Sequence, residues 1–193
     1  DEIQQQIQRS ATHFIERDYT FERRRSIVSS PSGWDIDVWR TLAEMGLLAM
    51  NVPERCGGVE MHAHGTRTVM ECFGRGLVVE PYLTSAVVAT RAVTLLTPCT
   101  SGDELLSRLG CGDAISVLCH YEPRSRFDLD VIEMKAQPDG SGYRLEGVKC
   151  TGNGTGAADG FLVSARLGAG IALFHVERSI EDVRVNDRPA YDG

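Results

Sequence analysis

Three glycines, Gly152, Gly154 and Gly156, crowd the stretch LEGVKCTGNGTGAADGFLVSAR between two segments that read as strands. Glycines packed this closely can cradle a phosphate, let the backbone approach a flat ring, or simply turn the chain. The phosphate reading fails twice. Gly156-Ala157-Ala158-Asp159 lacks the third glycine of G-x-G-x-x-G. A strand follows, whereas that fingerprint needs a helix N-terminus facing the pyrophosphate. No G-x-x-x-x-G-K-[ST] occurs either, which excludes a P-loop. Close approach to a ring and a plain turn stay open.

The other reactive residue types form no site by spacing. His62 and His64 could be two metal ligands, but nothing at zinc spacing joins them, and a surface loop before a helix is the better reading. No metal site is expected. No G-x-S-x-G marks a nucleophile, and the five histidines are dispersed. Six cysteines, Cys56, Cys72, Cys99, Cys111, Cys119 and Cys150, contain no C-x-x-C, which suits reduced thiols in a cytoplasm. Asn153-Gly154-Thr155 is formally a glycosylation sequon, but no secretion signal accompanies it.

Composition narrows the class. A net charge of -7 with scattered arginines argues against nucleic acid, since phosphate neutralisation needs clustered positive charge. The nearest cluster, Arg23, Arg24 and Arg25, reads as a solvated face or ion-pair partners after a helix. No apolar run reaches the ~20 residues that span a bilayer, because polar residues from Thr84 to Thr94 interrupt the best candidate, Leu83 to Leu96. No membrane partner is expected. The start at Asp1 and the end at Gly193 suggest a fragment.

The elements that must position any site fall into two halves. Residues 1–110 read as an N-terminal α-helical domain. Ile3, Ile7, Ala11 and Phe14 recur at helical spacing, and Asp35 caps a helix carrying Val38, Trp39, Leu42 and Met45 that stops at Gly46. Val69, Met70, Phe73 and Leu77 mark another helix, and Leu83 to Leu96 a mostly buried fourth. Ser101-Gly102-Asp103-Glu104 reads as a capping box for a helix ending at Gly110. From 111 to 193 the period becomes two, predicting a β-domain. Strands are expected at Ala114–Cys119, Asp130–Ala136 (Ile132, Met134 and Ala136 on one face), Tyr143–Lys149, Gly160–Arg166 and Ile171–Val176, with a turn over 138–142. Helices first and strands afterwards is an α+β order.

Four stretches then resemble one family. MGLLAMNVPERCGG (Met45–Gly58) is similar to a G-L-x-x-x-x-x-P-E-x-x-G-G element. FGRGLVVEPYLTSAVVAT (Phe73–Thr90) is similar to a G-R-x-L-x-x-E-P-Y helix pair. EPRSRFDL (Glu122–Leu129) sits where an E-P-x-x-G-S-D segment belongs, and the glycine stretch resembles L-x-G-x-K…A-D-x-x-x-V-x-A. In order and spacing they resemble the acyl-CoA dehydrogenase family, and within it the small-subunit type related to pimeloyl-CoA dehydrogenase. The resemblance implies an N-terminal helical bundle followed by an antiparallel β-barrel or sandwich-like domain. It also implies that the family's C-terminal four-helix bundle is absent here. NDRPAYDG (Asn186–Gly193) resembles the approach to the last middle-domain strands, so that domain is expected to be incomplete.

What the resemblance implies for function is an FAD-dependent oxidoreductase. It would desaturate the α,β bond of an acyl-CoA thioester, pass a hydride to flavin N5 and reoxidise through an electron-transfer acceptor. Homo- or hetero-oligomers with another acyl-CoA dehydrogenase subunit are implied as partners. Cofactor contacts carry over to His120 and Tyr121 before Glu122-Pro123, to Arg126 and Phe127 after it, and to Thr151, Gly152 and Asn153 in the glycine corner. Tyr121 stands where the family usually has Thr, and Arg126-Phe127 where it has Gly-Ser. Arg126 either neutralises a flavin or CoA phosphate or pairs with Glu122 or Asp128. No residue maps to the catalytic base. Glu71 and Glu80 are not candidates, and Glu80, before Pro81, reads as a local cap or pair. Two alternatives stand beside the enzyme: a non-catalytic partner subunit, and a flavin-free binding domain.

Overall fold

The computed structural model describes residues 2–125, 128–150 and 154–186. Among them, six α-helices come first: α1 (Glu2–Arg17), α2 (Phe21–Val28), α3 (Ile36–Glu44), α4 (His62–Gly76), α5 (Thr90–Thr94) and α6 (Thr100–Cys111). Strands β1 (Ser116–Cys119), β2 (Lys135–Asp139), β3 (Gly142–Glu146), β4 (Gly160–Leu167) and β5 (Gly170–Glu177) follow, giving the expected α+β order. All but the first residue of the Asn186–Gly193 stretch lies outside the described residues.

α3 forms as the sequence dictates. The Asp35 carboxylate accepts the Asp37 amide at 2.8 Å, and Gly46, with φ +73°, ends the helix in the left-handed region. Its apolar stripe, Val38, Trp39 and Leu42, is fully buried. Replacing Asp35 with alanine is expected to lower stability by about 1 kcal/mol, the usual worth of an N-cap; urea unfolding measures it. The partly exposed ion pair with Arg23, at 3.4 Å, adds little to that figure.

Several local expectations shift. The arginine cluster lies inside α2 rather than after a helix, and Arg23 also donates to the Asp18 carbonyl at 2.8 Å. α6 starts at Thr100 with Cys99 as its cap, so the Ser101 box is not the start. Asp103, in the helix's first turn, pairs with Arg55, 3.0 Å away. α6 also runs past Gly110, which packs against Val52 and Ala49, and Gly112 with φ +82° ends it. The single helix expected over Leu83–Leu96 is a π-helix, Tyr82–Ala89, running into α5. Buried hydroxyls match its wider turns: Thr90 donates to the Ser85 carbonyl five residues back, and Ser85 Oγ accepts the Ser116 amide at 3.1 Å.

The sheet is centred on β4. β5 pairs with β4 antiparallel along its whole length. β1 pairs with the first half of the other edge, from Ser116 opposite Gly160 to Cys119 opposite Val163. β2 joins that edge further on, Lys135 opposite Arg166. β1 and β2 run parallel to β4, so the sheet is mixed where antiparallel pairing was expected. The β2–β3 hairpin lies between β1 and β4 in the chain, and after it the chain re-enters the sheet in its original direction. Pro138 sits within β2, and the turn itself is Gly140-Ser141. β2 reaches back only to Lys135, yet Ile132, Met134 and Ala136 are all buried, as their alternation predicted.

β4 buries both faces. Leu162 joins the helical side, packed with Val52, Ala89, Leu105 and Leu109. Phe161, Val163 and Ala165 pack with Val117, Cys119, Met134 and Ala136 on the other side. A central strand between two apolar layers has no solvent face, so its alternation of residue types carries less information than an edge strand's.

Candidate functional site

Glu122 and Lys149 build the best-defined polar cluster. Glu122 follows β1, and Lys149 follows β3 across the chain. Their side chains meet at 2.7 Å and are 3% and 6% exposed. A buried charge pair persists only when its remaining donors and acceptors are satisfied, and here they are. Glu122 Oε2 accepts the Glu133 amide at 2.6 Å, and Oε1 accepts the Met134 amide at 3.0 Å. Lys149 Nζ also donates to the His120 carbonyl and to Ser164 Oγ, both at 3.1 Å. Burial pushes the Glu122 carboxyl up, but the Lys149 ammonium and the two amides outweigh it and hold the carboxyl below its usual range.

This network brings the proposed cofactor contacts His120 and Tyr121 beside Cys150, the last described residue before the glycine corner. The Cys150 amide donates to the Tyr121 carbonyl at 2.7 Å, so the chain entering the glycine corner runs beside the chain leaving β1. Tyr121 presents its ring outward at 41% exposure. His120 turns its ring to the Leu129 carbonyl, 3.0 Å from Nε2; a carbonyl only accepts, so Nε2 carries the proton. The imidazole is thereby fixed against the loop. Arg126, Phe127, Thr151, Gly152 and Asn153 lie outside the described residues.

Gly154 shows what one of the three glycines does. With φ +92°, a Cβ there would stand 2.6 Å from Thr84 Oγ1 and 3.5 Å from Pro81 Cβ. Gly154 therefore packs against the start of the π-helix, an approach that only glycine permits. Gly154→Val is expected to destabilise by about 1–3 kcal/mol, with thermal melting as the readout. An unchanged melting temperature would remove this docking role.

Sequence reasoning placed Glu122 and Lys149 as motif residues without seeing that they pair. A Glu and a Lys in separate segments carry no periodic signal; only the fold joins them. Glu80 is a second surprise: it is 5% exposed and neither carboxylate oxygen makes a direct hydrogen bond, although the Tyr19 hydroxyl and the Asp35 amide lie close enough to hold its carboxyl down in part. Burial pushes its carboxyl above the usual range. His62 and His64 fall in the first turn of α4 rather than a loop before it, and among the described residues no His, Cys, Asp or Glu group could hold a metal. A cleft of about 530 Å³ lies at the opposite end of β4, beside Gly160 and His175, away from this corner.

A helical layer leading into a mixed sheet, with a buried ion pair bracing a corner at the sheet's edge, defines the class of scaffold as α+β. Comparison with known proteins specifies which. Residues 1–99 match the model of the acyl-CoA dehydrogenase N-terminal domain. The chain is 29% identical over 163 residues to acyl-CoA dehydrogenase FadE27 of Mycobacterium tuberculosis, covering 81% of this chain and 41% of that protein. It is 27% identical to benzylmalonyl-CoA dehydrogenase of Aromatoleum aromaticum, covering 77% of this chain and 40% of that protein. The fold superposes on a chain of the ChsE4-ChsE5 complex from Mycobacterium tuberculosis with a TM-score of 0.83 and 25% identity, over 96% of this chain and 50% of that one. A Tcur3481-Tcur3483 steroid ACAD variant gives a TM-score of 0.78 and 28% identity over 92% of this chain and 48% of that one. This chain belongs to the acyl-CoA dehydrogenase family. It spans less than half the length of these two curated relatives.

Proposed function

We propose that this chain is the N-terminal part of an FAD-dependent acyl-CoA dehydrogenase that desaturates the α,β bond of an acyl-CoA thioester. One observation carries the reading: the buried Glu122–Lys149 pair fixes, from behind, a corner where the Tyr121 and Cys150 segments run side by side. Family membership gives that corner its meaning. Its described residues fit a flat, partly apolar ring, since the backbone is immobilised and an aromatic ring faces outward. FAD, when bound, would supply the hydride acceptor. His120 and Tyr121 would hold it, joined by Arg126, Phe127, Thr151, Gly152 and Asn153 from the sequence. The chain's own contribution is orientation: Lys149 ties the His120 carbonyl to Ser164 on β4, so the wall of the site cannot drift from the sheet. The acyl-CoA substrate, the electron acceptor and a cytoplasmic setting belong to this proposal.

The visible absorption spectrum of the purified full-length protein tests it. Flavin bands that are bleached by an acyl-CoA support the dehydrogenase. Tyr121→Ala is expected to weaken flavin retention while leaving the melting temperature of the flavin-free protein unchanged. A full-length protein that neither retains nor takes up added FAD would overturn the reading.

A second reading is a partner subunit that completes another subunit's flavin site. The likeness to a chain of the ChsE4-ChsE5 complex favours it. Flavin that appears only on co-expression with a second acyl-CoA dehydrogenase subunit would select it over the first.

A further inference from the structure

A second cleft, of about 420 Å³, lies apart from the Glu122–Lys149 corner, and two cysteines line it. Cys56 closes the short 3-10 turn Glu54–Cys56 and is 8% exposed. Cys99 is the exposed cap residue of α6. Both are free thiols. Asp103 links their surroundings: its carboxylate pairs with Arg55, the neighbour of Cys56, at 3.0 Å, while its amide donates to the Cys99 carbonyl at 2.9 Å. Ser107 Oγ, one turn further along α6, donates to the Cys56 carbonyl at 3.1 Å, so the Cys56 turn is seated on the first turns of that helix.

The two thiols stand in opposite environments. Cys99 Sγ is 3.5 Å from Ser101 Oγ and packs over Gly102, where an added Cβ would be 3.3 Å away. That is where the unpaired amides of the helix start point, and such a position favours a thiolate. The Ser101 hydroxyl and the Gly102 amide lower the Cys99 thiol from its ordinary value. Burial and the Asp103 carboxylate raise that of Cys56.

We propose that Cys99 and Cys56 form a peroxide-reactive dithiol, in which Cys99 is oxidised first and Cys56 resolves it to an intramolecular disulfide. The Cys99 thiolate attacks hydrogen peroxide, the O–O bond breaks, hydroxide leaves, and Cys99 becomes a sulfenic acid. The Cys56 sulfur then attacks Cys99 sulfur; the S–O bond breaks, the Cys56 proton leaves with the hydroxyl as water, and the S–S bond forms. One peroxide is reduced and two thiols are oxidised. The Cys56 side chain must rotate out of its buried position into the cleft that both residues line.

Stoichiometric hydrogen peroxide on the full chain, followed by thiol counting and peptide mapping, tests this. Two of the six thiols should disappear together, and mapping should join Cys56 to Cys99. Cys99→Ser should leave all remaining thiols intact under the same treatment. Cys56→Ser should leave a Cys99 sulfenic acid that a cyclic dione traps. First oxidation at Cys111 or Cys150 would overturn the proposal, as would oxidised Cys99 beside a Cys56 that remains free. Because Cys99 is exposed and its serine variant keeps a small polar cap residue, a folding failure is not expected to mask the result.

Discussion

Lys149→Met should lower stability by about 3–5 kcal/mol, the usual consequence of removing one member of a buried ion pair. Methionine fills much of the space, so the loss comes from charge and not from a cavity. Glu122, 3% exposed, would keep its carboxylate with only the Glu133 and Met134 amides to stabilise it. Urea unfolding near neutral pH measures the loss. Glu122→Gln combined with Lys149→Met should recover a large part of it, because the stranded charge is gone while one amide acceptor remains. A single-variant loss under about 1 kcal/mol, the range of exposed pairs, would show that the pair is solvated and the corner unbraced.

The same pair sets an acid dependence. The Glu122 carboxyl lies lower in the folded protein than in the unfolded chain. The folded state therefore binds fewer protons, and its contribution is present above the unfolded value of about 4.5. It is lost as pH falls through the lower folded value. Lys149→Met removes the main stabilising partner, so its stability curve should be flatter on the acid side than that of the parent protein. In the full-length protein the same substitution should also reduce flavin content, since the His120 carbonyl loses its tie to β4.

Glu80→Gln should act in the opposite direction, raising stability at neutral pH, because the amide does not carry the cost of burying a charge. Glu80 is 5% exposed, neither of its oxygens makes a direct hydrogen bond, and burial outweighs the nearby Tyr19 hydroxyl and Asp35 amide and drives its carboxyl upward. A raised folded value means the folded state binds more protons than the unfolded chain. Stability is then greatest below the unfolded value near 4.5 and declines as pH rises through the folded value. The amide that replaces the carboxyl cannot ionise, so the variant and the parent should converge in acid and diverge toward neutral pH. Thermal melts across that range measure it. Equal curves at all pH values would mean that Glu80 finds water or a partner in solution.

The sequence by itself determined the large-scale order. The switch from helical to two-residue period announced helices followed by strands, and Asp35 and Gly46 bounded α3 because capping and left-handed backbone are local properties. Ordered motifs carried the family, since they record spacing along the chain. Tertiary structure decided the rest. It made the sheet mixed and buried both faces of β4, because pairing partners and layers are chosen at long range. It set the start of α6 at Thr100, one residue before the Ser101 box. It joined Glu122 to Lys149, pressed Gly154 against Thr84, and left the Glu80 carboxylate buried without a direct hydrogen bond. These are meetings between residues far apart in sequence. Local propensity carries no information about such meetings; packing and desolvation fix them only when the chain has closed on itself.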